Sequence, residues 1–120
     1  MSLLEILNAE GGSFERLDYS WRPKNLFFEL QTKDLLADML RRQNNLSTAI
    51  GEFQRLDRME FYLKQVRKIT FIIRRAKFVR QSNHLAFGQA VSEFYTAYGQ
   101  ILRYLKIDQA RGVLVQKPKI

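Results

Sequence analysis

The distribution of proline and glycine constrains this chain more than any other feature of its sequence. The two prolines, Pro23 and Pro118, stand near the two ends, and the residues between them include only four of the six glycines. This interior is rich in Leu, Arg, Lys, Gln, Glu and Ala, which favour helices. No segment alternates between apolar and polar residues for long enough to predict a sheet. We therefore predict an all-α protein, a small antiparallel four-helix bundle.

Turn and capping residues indicate where the predicted helices begin and end. Asn44 and Asn45 are expected to end one helix, Gly51 to bend or break the next, and Ser82 with Asn83 to separate the last two. The predicted helices span residues 2–8, 25–43, 46–81 and 84–107, with an irregular segment at 9–24. We predict a single domain over residues 1–107 and a basic, mobile tail over residues 108–120.

The last predicted helix has the most regular apolar pattern in the chain. Its large apolar residues are separated alternately by four and three positions, which is the spacing of a packed heptad seam. The residues of this seam are Phe87, Val91, Phe94, Tyr98, Ile101 and Leu105. Because polar residues such as Ser92, Thr96 and Gln100 fall on other faces, we expect the seam to pack in the core.

The preceding helix combines an apolar side with a strongly cationic one. Residues 64–81 contain seven positive charges and no negative charge. At about 100° per residue, one side is predicted to consist of Met59, Tyr62, Val66, Ile69, Ile73 and Ala76. The opposite side consists of Lys64, Arg67, Lys68, Phe71, Arg74, Arg75 and Phe78. Lys77 and Arg80 project toward the apolar side, so we expect them to reach its edge or an acidic partner.

The formal charge of +8 favours a polyanionic partner. Aromatic rings among Arg and Lys are typical of single-stranded nucleic-acid sites, where the rings stack on bases and the cations contact phosphates. The same composition also occurs in protein interfaces, and a solvated helix face is a third interpretation. We predict nucleic-acid contact through the cationic side, extended by Arg41 and Arg42 with Lys33 nearby, and this composition leaves open whether the ligand is RNA or DNA. Further basic residues follow in the tail: Arg111, Lys117 and Lys119.

The sequence shows no set of residues that is typical of catalysis. It has no cysteine, no Gly-rich phosphate loop and no Ser–His–Asp set, and its acidic residues are too scattered to predict a metal site. The one histidine, His84, follows Arg80 as in the Arg-to-His motif of HEPN-type ribonucleases, but the spacing is shorter than in that motif. We predict a surface histidine and no catalytic, metal or cofactor site, with a bundle ribonuclease as a remaining alternative.

The remaining sequence features bear on the compartment. No segment approaches the roughly 20 apolar residues of a membrane span. The first residues, MSLLEILNAEGG, lack the basic start of a secretory signal. The absence of cysteine fits a reducing compartment. We therefore expect a cytoplasmic protein without a membrane partner.

Two stretches of residues 63–106 have a pattern that occurs in a known family. Residues 66–76 read VRKITFIIRRA, and residues 98–106 read YGQILRYLK, with a glycine, apolar residues, an aromatic residue and a lysine. They resemble the third helix and the end of the last helix in the family of small basic four-helix bundles that contains the accessory variability determinant (Avd) of diversity-generating retroelements. That family also includes proteins encoded in intervening sequences of ribosomal RNA.

The resemblance implies a specific role. Proteins of this family are accessory factors without a catalytic centre, which associate as positively charged pentameric rings. They bind the reverse transcriptase of the element and its template RNA, and they support mutagenic synthesis of complementary DNA. On this basis we expect a non-enzymatic homo-oligomer that binds RNA and a reverse transcriptase. A protein–protein adaptor that uses its basic face on an acidic partner, or on another copy of itself, is the alternative.

Overall fold

The computed structural model describes residues 28–55 and 58–118. Within them the chain forms three helices and one short pair of strands. The helices are α1 (Phe28–Gly51), α2 (Met59–Val79) and α3 (His84–Ala110), and the strands are β1 (Phe53–Arg55) and β2 (Leu114–Gln116). The fold is therefore essentially all-α, as predicted. The expected helix at residues 2–8 lies outside the described residues, so the number of helices in the bundle stays a prediction.

The three helices pack pairwise around one core. Arg58, next to the start of α2, contacts Asp108 near the end of α3, so α2 and α3 run antiparallel. All six residues of the predicted seam in α3 are buried. The prediction for this helix is therefore confirmed, although its buried face is broader than a heptad seam and includes Ala90, Tyr95, Ala97 and Leu102.

The end of α1 differs from the prediction. Asn44 and Asn45 do not end the helix, because the apolar face of α1 continues beyond them through buried Leu46 and Ala49. The break expected near Gly51 is present, because α1 ends at Gly51 and β1 intervenes before α2 begins at Met59. A helix that begins at residue 46 is wrong, since residues 46–51 belong to α1.

The turn between α2 and α3 follows the prediction. Asn83 is the N-cap of α3, and its side-chain oxygen accepts a hydrogen bond from the backbone N–H of Ala86 at 3.0 Å. This bond satisfies one of the N–H groups that a helix start leaves without an intrahelical partner.

The segment after residue 107 is not the irregular tail that the sequence predicts. Helix α3 continues to Ala110 and ends in a Schellman motif at Gly112, whose φ of 76° favours glycine. The N–H groups of Gly112 and Val113 donate to the carbonyl groups of Gln109 and Asp108. The chain then returns as β2, which pairs antiparallel with β1, and Leu114 of β2 and Phe53 of β1 both belong to the core. A sheet was not expected, because three-residue strands are too short to show a period of two.

Candidate nucleic-acid interface

Helix α2 separates an apolar side from a cationic one, as its periodicity predicts. Tyr62, Ile69, Ile73 and Ala76 are buried, and Ile72 joins them. Val66 is half-buried and Met59 is exposed, so the start of the predicted apolar side lies at the margin of the core. The opposite side is formed by Lys64, Arg67, Lys68, Phe71, Arg74, Arg75 and Phe78, which we call the cationic–aromatic face. All of these residues are exposed except Arg75, which is half-buried.

Five residues of this face form a straight row along the helix. Lys64, Arg67, Phe71, Arg74 and Phe78 are separated alternately by three and four positions, the spacing that keeps side chains on one line of a helix surface. At 1.5 Å per residue the row is about 21 Å long. Three cations and two rings therefore point away from the core in one strip that can follow an extended ligand.

The two phenylalanines are the most unusual members of the face. Phe71 is 66% exposed and Phe78 is 86% exposed. A single exposed apolar side chain is ordinary, but here two flat rings lie in one row with arginines between and beside them. Neither ring belongs to the core. Packing among the described residues therefore does not explain why phenylalanine stands at positions 71 and 78. A ligand with flat apolar faces and negative charge matches both features.

The excess of positive charge lies on α2 and not on its neighbours. Helices α1 and α3 each carry equal numbers of acidic and basic residues, whereas α2 has six basic residues and one acidic residue, Glu60. Glu60 is exposed one turn before Lys64, so the row begins beside a carboxylate. Beyond that turn no acidic residue of α2 moderates the repulsion among its cations.

Arg75 differs from the other cations because it forms an ion pair with Glu93 of α3. The two side chains are 41% and 54% exposed, so solvent weakens the attraction between them. The pair nevertheless holds the guanidinium of Arg75 toward α3, at the border of the cationic–aromatic face. The cations with the most open access to a ligand are therefore Lys64, Arg67, Lys68 and Arg74.

The predicted extension of the face along α1 is wrong for Arg42. Arg42 is only 7% exposed, its Nε donates to Asp38 at 2.8 Å, and its guanidinium lies 5.6 and 5.4 Å from the ring centroids of Tyr95 and Tyr98. A guanidinium held in this way inside the bundle cannot reach a phosphate. Arg41 is exposed but also donates to Asp38, at 2.6 Å. Among the residues expected to extend the face, Lys33, Arg111 and Lys117 are exposed, and Lys119 lies outside the described residues.

Asp38 is the centre of a charged cluster that joins α1 to α3. It accepts hydrogen bonds from Arg41 and Arg42 and from the Tyr95 hydroxyl. Burial alone would raise the pKa of Asp38, but these three hydrogen bonds outweigh it and lower the pKa below the usual value for aspartate. Burial and the bond to Asp38 both raise the pKa of Tyr95. The cluster therefore holds an ionised carboxylate beside a neutral phenol.

A second cluster of the same kind joins α2 to the end of α3. Asp108 is buried and accepts from Arg58 Nε at 2.9 Å and from the Tyr62 hydroxyl at 2.7 Å. The guanidinium of Arg58 lies 3.8 Å from the ring centroid of Phe61. Burial, together with the bond to Asp108, raises the pKa of Tyr62. This cluster was not predicted from the sequence, because Asp108 falls in the predicted tail.

The remaining candidates do not converge on a reactive site. Arg80 is half-buried and lines a cleft of about 320 Å³ with Leu36, Lys77, Phe78 and Gln81, a set that does not include His84. His84 is exposed at the first position of α3. Among the described residues there is no group of three His, Cys, Asp or Glu side chains that could hold a metal ion. In the same part of the chain, no helix has the length and apolarity needed to cross a membrane.

The described residues thus define a small helical-bundle protein with one cationic–aromatic face. No family model matches the chain. Neither a curated protein nor a solved structure matches it significantly.

Proposed function

We propose that this protein is a non-enzymatic nucleic-acid-binding factor, and that its ligand is RNA in preference to DNA. The observation that carries the proposal is the row from Lys64 to Phe78, in which three cations and two exposed rings share one side of α2. Phosphates are the ligands of the cations and bases are the ligands of the rings, so a nucleic acid uses both kinds of side chain at once.

The particular role that we propose rests on the resemblance of residues 63–106 to the Avd family. In that role the protein binds a reverse transcriptase and its template RNA, and supports mutagenic synthesis of complementary DNA in a diversity-generating retroelement. It associates as a homo-oligomer, and as a pentamer if it follows the family. A reverse-transcriptase gene and a repeated template beside the gene for this chain would support the role. Native mass spectrometry measures the oligomeric state, and a strictly monomeric protein would contradict the pentamer.

Charge reversal of the two exposed arginines in the row on α2 tests the nucleic-acid interface. We expect the double variant Arg67→Glu/Arg74→Glu to bind RNA at least about tenfold more weakly, because two attractive contacts become repulsive. Both side chains are exposed, so circular dichroism should show an unchanged helix content. Fluorescence anisotropy with a labelled RNA oligomer at low salt measures the affinity.

The matched control for this variant is Lys77→Glu/Lys106→Glu. Both lysines are exposed on α2 and α3, neither belongs to the cationic–aromatic face, and the change in net charge is the same. We expect it to reduce RNA affinity much less than the reversal of Arg67 and Arg74. Equal losses in the two variants would show that only net charge matters and would reject the cationic–aromatic face as the interface.

A protein partner is the second candidate for the same face, because exposed phenylalanine and arginine are enriched in protein interfaces. Purification with and without nuclease separates the two functions. A nucleic-acid-binding protein should co-purify with RNA that nuclease removes, and it should bind added RNA at low salt. A protein that neither co-purifies with RNA nor binds added RNA at low salt would support the protein–protein adaptor instead.

A further inference from the structure

The cationic–aromatic face borders a groove between α2 and α3. Contacts along the row on α2 do not require this groove. The groove has a volume of about 540 Å³, within the range of 300–1,000 Å³ that is typical of small-molecule sites. From α2 it is lined by Lys68, Phe71 and Arg75, and from α3 by Thr96 and Gln100. These side chains come from two different helices, so only the packed bundle forms the groove.

The groove is lined by three kinds of side chain: apolar, hydrogen-bonding and charged. Its apolar lining includes Ile72 and Ala97, which are both buried, and the exposed ring of Phe71. Thr96 and Gln100 supply hydroxyl and amide groups from α3, which can both donate and accept hydrogen bonds. Lys68 and Arg75 add positive charge from α2. Glu93, paired with Arg75, adds a carboxylate that accepts hydrogen bonds from amino groups.

We propose that this groove holds one unstacked nucleobase of a single-stranded RNA whose phosphates lie along the cationic–aromatic face. This inference rests on the proposed function. A flat ring beside Phe71, with its polar edge toward Thr96 and Gln100, matches the way in which proteins bind bases that are turned out of a strand. The adjacent cations, Lys68 among them, hold the backbone on either side of that base.

The groove therefore selects single strands over duplexes. A base inside a duplex is stacked and paired, and turning it out requires several broken interactions. A duplex can contact the cations of α2 only through its phosphates and leaves the groove empty. The groove also distinguishes this protein from a surface that binds any polyanion through charge alone.

A variant that fills the groove tests this inference. Thr96 is exposed, so Thr96→Trp places a large side chain in the groove without entering the core. We expect it to weaken binding of a single-stranded RNA oligomer about tenfold, the loss expected for one stacked base. Binding of duplex RNA of the same length should stay within about twofold, since phosphate contacts are retained.

Asn44→Trp is the matched control, because Asn44 is exposed on α1 and does not line the groove. It should bind both RNA forms as the unaltered protein does. A fluorescent adenine analogue in the single strand adds a direct reading: we expect its emission to be quenched on binding and the quenching to be lost in Thr96→Trp.

The outcomes separate this inference from the proposed function. If Thr96→Trp binds single strands like the unaltered protein, or weakens single-strand and duplex binding equally, the groove holds no base and the inference is overturned. In that case RNA binding that is lost in Arg67→Glu/Arg74→Glu still supports the proposed function. If the unaltered protein binds neither RNA form, both the function and the inference fall.

Discussion

Two aspartates, Asp38 and Asp108, show how single residues hold this bundle together. Each accepts hydrogen bonds from an arginine and from a buried tyrosine hydroxyl, and in each case the guanidinium also lies over aromatic rings. A buried charge is stable only when it is paired and hydrogen-bonded. The two clusters meet this condition with the same three residue types, one between α1 and α3 and the other between α2 and α3.

The Asp38→Asn substitution tests the first cluster. It leaves the buried guanidinium of Arg42 without its carboxylate, and we expect the free energy of unfolding at pH 7 to fall by about 3 kcal/mol. Denaturant unfolding measures it. Asp34→Asn, which removes an exposed charge from the same helix, should change stability by less than about 0.5 kcal/mol.

The pH dependence of the Asp38→Asn effect follows from the lowered pKa of Asp38. Folding favours the ionised carboxylate, so its contribution is complete above the unfolded value of about 4 and is lost as the pH falls through the lower folded value. The difference in stability between the two proteins should therefore be largest near neutrality and shrink below about pH 4. A difference that persists unchanged in acid would contradict an ionised Asp38.

At the scale of elements, the short sheet explains why residues 114–116 belong to the fold. Strand β2 begins two residues after Gly112, whose left-handed conformation turns the chain back along the bundle. Strand β2 then pairs with β1, which lies in the segment that connects α1 and α2. Leu114 is 2% exposed and Phe53 is 4% exposed, so this pairing closes one end of the core.

The neighbours Leu114 and Val115 provide a matched test of the sheet. Leu114→Ala removes buried side-chain volume, and we expect a loss of about 2–4 kcal/mol in the free energy of unfolding. Val115 points to the other face and is exposed, so Val115→Ala should cost less than about 0.5 kcal/mol. Equal and small effects, measured by thermal or denaturant unfolding, would show that residues 114–116 do not stabilise the protein.

At the scale of the whole molecule, the excess charge is confined to one of the three described helices. Helices α1 and α3 each carry equal numbers of acidic and basic residues, whereas α2 presents Lys64, Arg67, Lys68 and Arg74 to solvent. A positive electrostatic field that is concentrated along α2 orients an approaching polyanion as well as attracting it. Among the three described helices, α2 therefore supplies the charged side that such a ligand would meet.

This arrangement predicts the salt dependence of RNA binding. Each phosphate neutralised on a single strand contributes about −0.7 to the slope of log affinity against log salt, so four open cations give a slope near −3. Glu93→Gln removes the carboxylate that holds Arg75. We expect it to raise RNA affinity at low salt and to steepen the slope by about 0.7 as Arg75 becomes a phosphate ligand. Gln89→Glu, which adds an exposed charge to the same helix, should not steepen it.

The buried and exposed sides of α2 and α3 could be predicted from the sequence because they depend on local periodicity. Once a segment is helical, the 3.6-residue turn decides which side chains share a face. The seam from Phe87 to Leu105 and the separation of Ile69 and Ile73 from Arg67 and Arg74 follow from this rule. The Asn83 cap is likewise a local property of one turn.

The tertiary structure alone decided which basic side chains can reach a ligand. It also decided that residues 114–116 pair as a strand. Arg42 is removed from the surface by rings of α3, and Arg75 is drawn aside by Glu93. Likewise β2 pairs with a strand about sixty residues earlier, and the groove beside Phe71 needs side chains from two helices. Periodicity within one helix carries no information about these partners, because each partner lies on another element and meets its residue only after packing.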